Sequence, residues 1–432
     1  MVNIKPIHHF ILICLYTISN SVIEVPMTII PQKLPTIPIT LGGNQTFNVV
    51  VDTGSQHFWV ADETSNVYVT KKYNKASPTY TELKGKTFIA NYTTGEEIRG
   101  NLGEETFFIP STSLTSDNPI KMDFGLAMSG TLMLDNIDGF LGFGRNYNTH
   151  SELTNKSDLI LQLKNNNLIS KKIFSLKYYN NTSANQLEGT LYLGDWNKSV
   201  IVPSNSSNTF ECNVIQSHTH EWACKVSHII IGDPVSFRTT AVPIDKDAFF
   251  NTGSSTNILP IEYLEIFKKK LDKAKCRNET MEGYEYLYCE NITAIPSMYF
   301  VFGEYGLNIN KDNFFSKVND TKEEFLFRFV FSYQHDHIVF GVTLLKDYQL
   351  YFDEERSVVG FYNDDQSKIR HLITYMKPHW FAYILVVILV ILEGVMVLWF
   401  VVWCKKSKTL NTTADSTLIS AESLGDIGGK LD

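Results

Sequence analysis

Basic residues are too few for a nucleic-acid binder. The 432-residue chain carries 38 Lys and Arg against 46 Asp and Glu, a net charge of −8, whereas affinity for phosphate backbones comes mainly from cationic side chains. Nucleic acid is therefore not an expected partner. Helical periodicity is also sparse, with apolar residues three and four apart only over residues 157–164 and over 261–271 behind Pro260. Metal-ligand sets are missing as well. His218 with His220, and His335 with His337, would each share one face of a strand, but no carboxylate or cysteine set completes either site. Neither metal nor cofactor is expected. Only six cysteines occur, and long hydrophobic runs are confined to the two ends.

At the N-terminus, Lys5 precedes an apolar run over residues 10–18 and small polar residues at Ser19 to Ser21, the layout of a signal peptide over residues 1–20. That run is too short to span a bilayer. Near the C-terminus, residues 381–403 hold a single charge, Glu393, and carry Trp399 and Trp403 beside Trp380, with Lys405, Lys406 and Lys408 following at once. This predicts a transmembrane helix over residues 380–403, because the length matches a hydrocarbon core and Trp prefers the interface. Lysines remain on the cytoplasmic side, so the expected topology is single-pass type I, with the ectodomain extracellular or in the endomembrane lumen. Glu393 at mid-span is costly enough to make it a candidate contact to a partner helix. Residues 363–379 read as a polar linker and residues 404–432 as a Ser/Thr-rich cytoplasmic tail.

Between signal and membrane, short runs rich in Val, Ile, Phe, Tyr and Thr are broken by turn residues every ten or so positions, as over residues 47–51, 87–92, 190–193 and 228–231. The fold class is mainly β. Cys14 lies in the signal segment and Cys404 at the cytoplasmic face, leaving Cys212, Cys224, Cys276 and Cys289 on the lumenal side. Three pairings are possible, and 212 with 224 and 276 with 289 are favoured because short loops close cheaply. Export also agrees with ten Asn-X-Ser/Thr sequons ahead of the membrane, at Asn44, Asn91, Asn155, Asn180, Asn181, Asn197, Asn205, Asn278, Asn291 and Asn319.

Internal repetition carries the most information. Val49, Val50 and Val51 lead into Asp52-Thr53-Gly54-Ser55, and Ala248, Phe249 and Phe250 lead into Asn251-Thr252-Gly253-Ser254. A second apolar pair ending in glycine follows each copy, Phe140-Leu141-Gly142 and Val339-Phe340-Gly341, at the same separation of 90 residues. Two lobes of related design follow, residues 21–200 and 201–362.

Asp-Thr-Gly-Ser behind an apolar strand, trailed by Phe58-Trp59-Val60 and echoed in the second half, resembles the pepsin-like (A1) aspartic proteases over residues 35–361. The resemblance implies a bilobal fold in which the two turns meet at the lobe interface, with Thr53 and Thr252 locking the loops together. Asn91-Tyr92-Thr93-Thr94-Gly95 is similar to the flap hairpin that closes over substrate, which makes Tyr92, Trp59 and Gly95 substrate-side residues. If Tyr92 faces the cleft, strand alternation turns Asn91 to solvent. Asp138-Gly139-Phe140-Leu141-Gly142 is similar to the loop-crossing segment, and Trp222, the pair Cys276 and Cys289, and residues 352–361 fit the family's order.

The family's chemistry needs two carboxyl groups sharing one proton and one water. One takes a proton from the attacking water while the other donates to the peptide carbonyl. By the resemblance the catalytic positions are Asp52 and Asn251, with Thr53, Gly54, Thr252 and Gly253 supporting them. Asp52 can serve as base, but an amide at 251 neither gives nor takes a proton. Loss of one partner typically forfeits on the order of 10²–10⁴ in rate. The substitution is nearly isosteric, and an amide N–H is expected to donate to ionised Asp52. Two further departures are Gly341-Val342, where the family often has Gly-Asp, and a short stretch ahead of Asp52 that leaves little room for a propeptide. The expectation is a catalytically impaired membrane glycoprotein that binds extended peptide segments; an active membrane-anchored aspartic endopeptidase is the alternative.

Overall fold

A computed structural model describes residues 22–29, 34–92, 95–133, 135–145, 154–181, 186–195, 209–232, 240–309, 314–319, 322–365, 367–372 and 380–422. The segment read as a signal peptide, Thr93 and Thr94 of the flap-like motif, sequon residues Asn197 and Asn205, and much of the linker lie outside them. The chain divides into two units, Met1–Leu372 and Ile373–Asp432.

The first unit is built on two large sheets, of thirteen and twelve strands. This is the mainly β, bilobal architecture expected. Each repeat supplies the same crossing. In the first, strand Gln45–Asp52 runs parallel to Gly139–Gly142, with Asp52 opposite Gly142, and Trp59–Ala61 packs antiparallel on the other side of Gly139–Gly142. In the second, Thr240–Phe250 runs parallel to Ile338–Phe340, and Asn257–Pro260 packs antiparallel beside it. The outer neighbour is parallel in both, Ile120–Gly130 beside Trp59–Ala61 and Phe329–Ser332 beside Asn257–Pro260. Strands buried on both faces read as unbroken apolar runs, which is why residues 49–51 and 338–340 do not alternate.

The glycine ending each crossing is required by space. A Cβ on Gly142 would sit 2.4 Å from the Gln56 carbonyl carbon, and one on Gly341 would sit 2.5 Å from the Thr256 carbonyl oxygen. Only glycine lets the two chains cross this closely.

Strands Thr209–Asn213, Gln349–Asp353 and Val358–Tyr362 extend the thirteen-stranded sheet beyond Ile173–Asn181. One contiguous apolar core runs through both halves, from Val49 and Leu141 to Phe250 and Phe340. Trp222 bridges them, its indole N–H donating to the Phe143 carbonyl at 2.7 Å. The two expected helices form, Leu159–Asn165 capped by Asp158 and Leu264–Lys270 behind a 3-10 turn, Ile261–Tyr263. Both local disulfides form, Cys212 with Cys224 and Cys276 with Cys289.

In the second unit a helix spans Trp380–Glu422. Its part Ile384–Lys406 is long and apolar enough to cross a membrane.

Candidate active site

Strands Gln45–Asp52 and Thr240–Phe250 end at the same place from opposite halves, and the turns after them interlock. Thr53 Oγ1 donates to the Phe250 carbonyl at 2.7 Å and Thr252 Oγ1 to the Val51 carbonyl at 2.5 Å. Each hydroxyl also accepts the other threonine's backbone N–H at 3.0 Å. Both threonines are fully buried. In so dry a place each unmade bond would cost about 1–3 kcal/mol, so the four bonds fix the two turns against each other.

That lock brings the paired side chains into opposition. A Cβ placed on Gly54 would lie 2.3–2.5 Å from the side-chain atoms of Asn251, and one placed on Gly253 would lie 2.2–2.9 Å from the carboxyl of Asp52. Each side chain thus rests on the glycine of the other copy. Asp52 and Asn251 lie where the two turns interlock, and Gly54 and Gly253 are there because any side chain would collide with them.

The bonding around the two is asymmetric. Gly54 N–H donates to Asp52 Oδ1 at 2.9 Å, and the Ser55 hydroxyl donates to Oδ2 at 2.5 Å. On the other side Gly253 N–H donates to Asn251 Oδ1 at 2.8 Å, but the Ser254 hydroxyl turns away to the Thr256 carbonyl at 3.0 Å. Burial pushes the Asp52 carboxyl above its ordinary range, opposed by the bonds from Ser55, Gly54 and Gly253. Among the hydrogen bonds of the described residues, the expected donation from the Asn251 amide to Asp52 is absent. A backbone N–H can only donate, so the Gly253 N–H selects the oxygen of the Asn251 amide.

One wall above the pair is aromatic. The Trp59 indole N–H donates to the Tyr92 hydroxyl at 2.7 Å. Phe140 stacks on Trp59 with centroids 5.6 Å apart and meets Tyr92 at 5.3 Å. Burial holds the Tyr92 hydroxyl well above its usual value, and the nearby Asp52 charge adds to this. Tyr92 therefore sits partly buried within electrostatic reach of Asp52, while Asn91 is exposed. Gly95 adopts φ +90°, a left-handed turn conformation that glycine takes without strain, and its N–H closes the hairpin onto the Tyr92 carbonyl at 3.0 Å.

The second half carries a smaller apolar cluster at its own crossing. Ile258, Val330 and Val339 form a separate cluster overlaid by Tyr284 and Tyr286 of the disulfide-closed hairpin. Burial raises the Tyr284 hydroxyl, and Glu96 beside the flap turn adds to the effect, so this hairpin lies within electrostatic reach of the flap. Sequence reasoning missed Ser55 as a partner of Asp52, Phe140 as the platform between Trp59 and Tyr92, and Tyr284 altogether. Ser55 was visible in the repeated motif, whereas Tyr284 is one of three alternating tyrosines whose spacing marks only an outer strand face.

One histidine of each pair meets the same aromatic ring. His218 bonds Asp247 at 2.7 Å, and His218 and His337 both meet Phe249 edge to face, at 4.8 and 4.4 Å. Among the described residues no group of three or more His, Cys, Asp or Glu is placed to hold a metal ion.

Residues 36–363 match the family model described as eukaryotic aspartyl protease. The sequence is similar to cathepsin D of Mus musculus, 25% identical over 337 residues that cover 74% of this chain and 77% of that protein. It is 26% identical to cathepsin D of Rattus norvegicus over 64% of this chain and 65% of that protein. Secreted aspartic protease 1 of Candida albicans is 30% identical over 37% of this chain and 41% of its own length.

Proposed function

We propose, on the premise that this chain belongs to the eukaryotic aspartyl protease family, that it is a catalytically impaired member whose cleft binds extended segments of partner proteins. The observation that carries the reading is a carboxyl at Asp52 opposite an amide at Asn251. Water attack on a peptide bond needs one group to take a proton and another to give one. Asp52 supplies the first function. Nothing at position 251 supplies the second, because a carboxamide does not titrate in the working range. The binding surface is supported by the intact threonine lock, by the glycines that admit the paired side chains, and by the Trp59–Phe140–Tyr92 wall.

In this reading the protein is a single-pass type I membrane glycoprotein with its two lobes, residues 21–200 and 201–362, on the lumenal or extracellular side. The apolar helix Ile384–Lys406 with its terminal lysines supports the anchor, and two disulfides support an oxidising compartment. Sequon residues Asn44, Asn91, Asn155, Asn278 and Asn291 are all exposed, which supports glycosylation.

The test is cleavage of an unfolded protein by the full chain between about pH 3 and 6, where such dyads work, with and without a pepstatin-type inhibitor. Little or no cleavage is expected, and Asn251→Asp should raise it by on the order of 10²–10⁴. Cleavage by the natural chain at a rate equal to the Asn251→Asp variant would overturn the reading in favour of an active endopeptidase.

A further inference from the structure

We infer that two copies of this chain pair in the membrane along one face of the helix Trp380–Glu422, with Glu393 of each copy hydrogen-bonded to Glu393 of the other. This rests on the single-pass, type I reading above.

Position around the helix carries the inference. At 3.6 residues per turn, Val386, Val390, Glu393, Gly394, Val397 and Val401 fall within an arc of about 100°. The far side carries Leu385, Ile388, Leu392, Met396, Trp399 and Trp403, within an arc of about 80°. The segment is apolar all round but two-faced in bulk, with short side chains on one side and long or aromatic ones on the other. Helices in lipid gain little by burying apolar surface, because the tails are as apolar as leucine. They associate where small residues let backbones approach and where polar side chains bond across. The valine face offers both. All six of its positions are exposed, and a Cβ on Gly394 would meet nothing within 4 Å, so a neighbouring helix has room at the very turn that carries Glu393.

Glu393 decides the occupant. It is the single charged residue over 381–403, near mid-span, where a polar group without a partner is costly. Every copy of a type I chain crosses in the same direction, so a two-fold axis along the membrane normal sets Glu393 against Glu393 at one depth. A carboxyl that carries its proton both donates and accepts, so two of them satisfy each other with a reciprocal pair of hydrogen bonds. The same face continues to the cytoplasmic end. Cys404 follows Glu393 by 404 − 393 = 11 residues of one unbroken helix, about three turns, and so returns to within about 20° of it. Lys406 falls on the far side. Cys404 is also the free cysteine among the described residues, which makes it a reporter of the pairing.

The test is oxidation of the full chain with copper phenanthroline, in membranes isolated from cells that express it, followed by non-reducing electrophoresis. A linked dimer should form, and Cys404→Ser should abolish it. Moving the thiol across the helix, with Cys404→Ser and Lys406→Cys together, should cut the linked fraction at least about tenfold. Glu393→Gln, which still donates and accepts, should keep the dimer, whereas Glu393→Val should lower it by about tenfold. Absence of linkage in the natural chain, or equal linkage through positions 404 and 406, overturns the inference. Loss of the dimer in Glu393→Gln as complete as in Glu393→Val would point to a cationic partner helix and also overturn the pairing of copies. Release of the chain from membranes by alkaline carbonate would instead overturn the membrane reading beneath it.

Discussion

The two halves of the molecule share a backbone and differ in what they place on it. Both run a central strand parallel to a second one, end it in Thr-Gly, and need glycine where the chains cross. On that common frame the first half carries Asp52 braced by Ser55, and the second carries Asn251 with Ser254 turned away. Beside its crossing the first half packs Trp59, Phe140 and Tyr92, and the second packs Ile258, Val330 and Val339 under two tyrosines. The first half anchors its crossing with buried Asp138, which accepts the N–H of Asn48 at 2.8 Å and of Lys71 at 2.7 Å. The corresponding place in the second half holds His337, lying on the ring of Phe249 at 4.4 Å. The lesson is that the geometry of the cleft is secured by features the halves share, while proton chemistry depends on features in which they differ. A chain can lose the second without losing the first.

If that division is right, the shared lock should be the most costly part to disturb. Thr252→Val removes the acceptor of Thr53 N–H and the donor to the Val51 carbonyl, leaving two buried groups unpaired at a cost of about 2–5 kcal/mol. Thr53→Val should cost a similar amount, and the double substitution less than the sum, because the four bonds form one network. Urea unfolding of the three variants measures this. A cost below ~1 kcal/mol for both single changes would mean the halves are held together elsewhere.

The anchors should then separate the halves. Asp138→Ala strips two N–H groups, in part-buried hydrogen bonds, of their acceptor and should destabilise by roughly 1–3 kcal/mol. His337→Ala removes a partly exposed ring and should cost under ~1 kcal/mol. Equal losses would show that His337 has taken over the structural duty of the aspartate, and the asymmetry drawn here would fail.

Much of this frame was legible in the sequence because it is written in chain-local signals. The Asp-Thr-Gly and Asn-Thr-Gly turns, the apolar runs before them and the glycines 90 residues on all follow from local sterics repeated twice. The two disulfides were legible from loop length. The amide orientation of Asn251 was not, because it is decided by the direction of one backbone N–H, and pattern carries no hydrogen-bond direction. Phe140 read only as an apolar strand residue, since its stacking on Trp59 joins positions far apart in the chain. Strands 349–353 and 358–362 extend the first sheet, and periodicity alone does not say which sheet a strand will join.

An effect that appears only as pH rises concerns a carboxyl that only the first half possesses. After Gly142 the chain continues to Asp158, which caps helix Leu159–Asn165 by accepting Leu161 N–H at 2.9 Å. After Gly341 it enters helix Val342–Leu345 at once, with no side-chain cap. Asp158 lines a small pocket with Gly142, Gly144, Trp222, Lys172 and Glu354. Burial pushes its carboxyl up to about 7 from an unfolded value of 3.8, with Leu161 N–H opposing and Glu354 adding to the rise. The folded state therefore keeps a proton that the unfolded chain releases, so this group stabilises fully below about pH 4 and progressively less as pH rises toward 7. Asp158→Asn retains an oxygen for the cap and removes the titration. Its stability should match the parent near pH 4 and exceed it near pH 8 by up to a few kcal/mol. Melting curves of both proteins across that range provide the check, and parallel curves would mean that Asp158 titrates as an ordinary carboxyl. A widening gap would place a preference for acid in the half that retains its catalytic-position aspartate, in a residue whose pocket includes the glycine paired with Asp52.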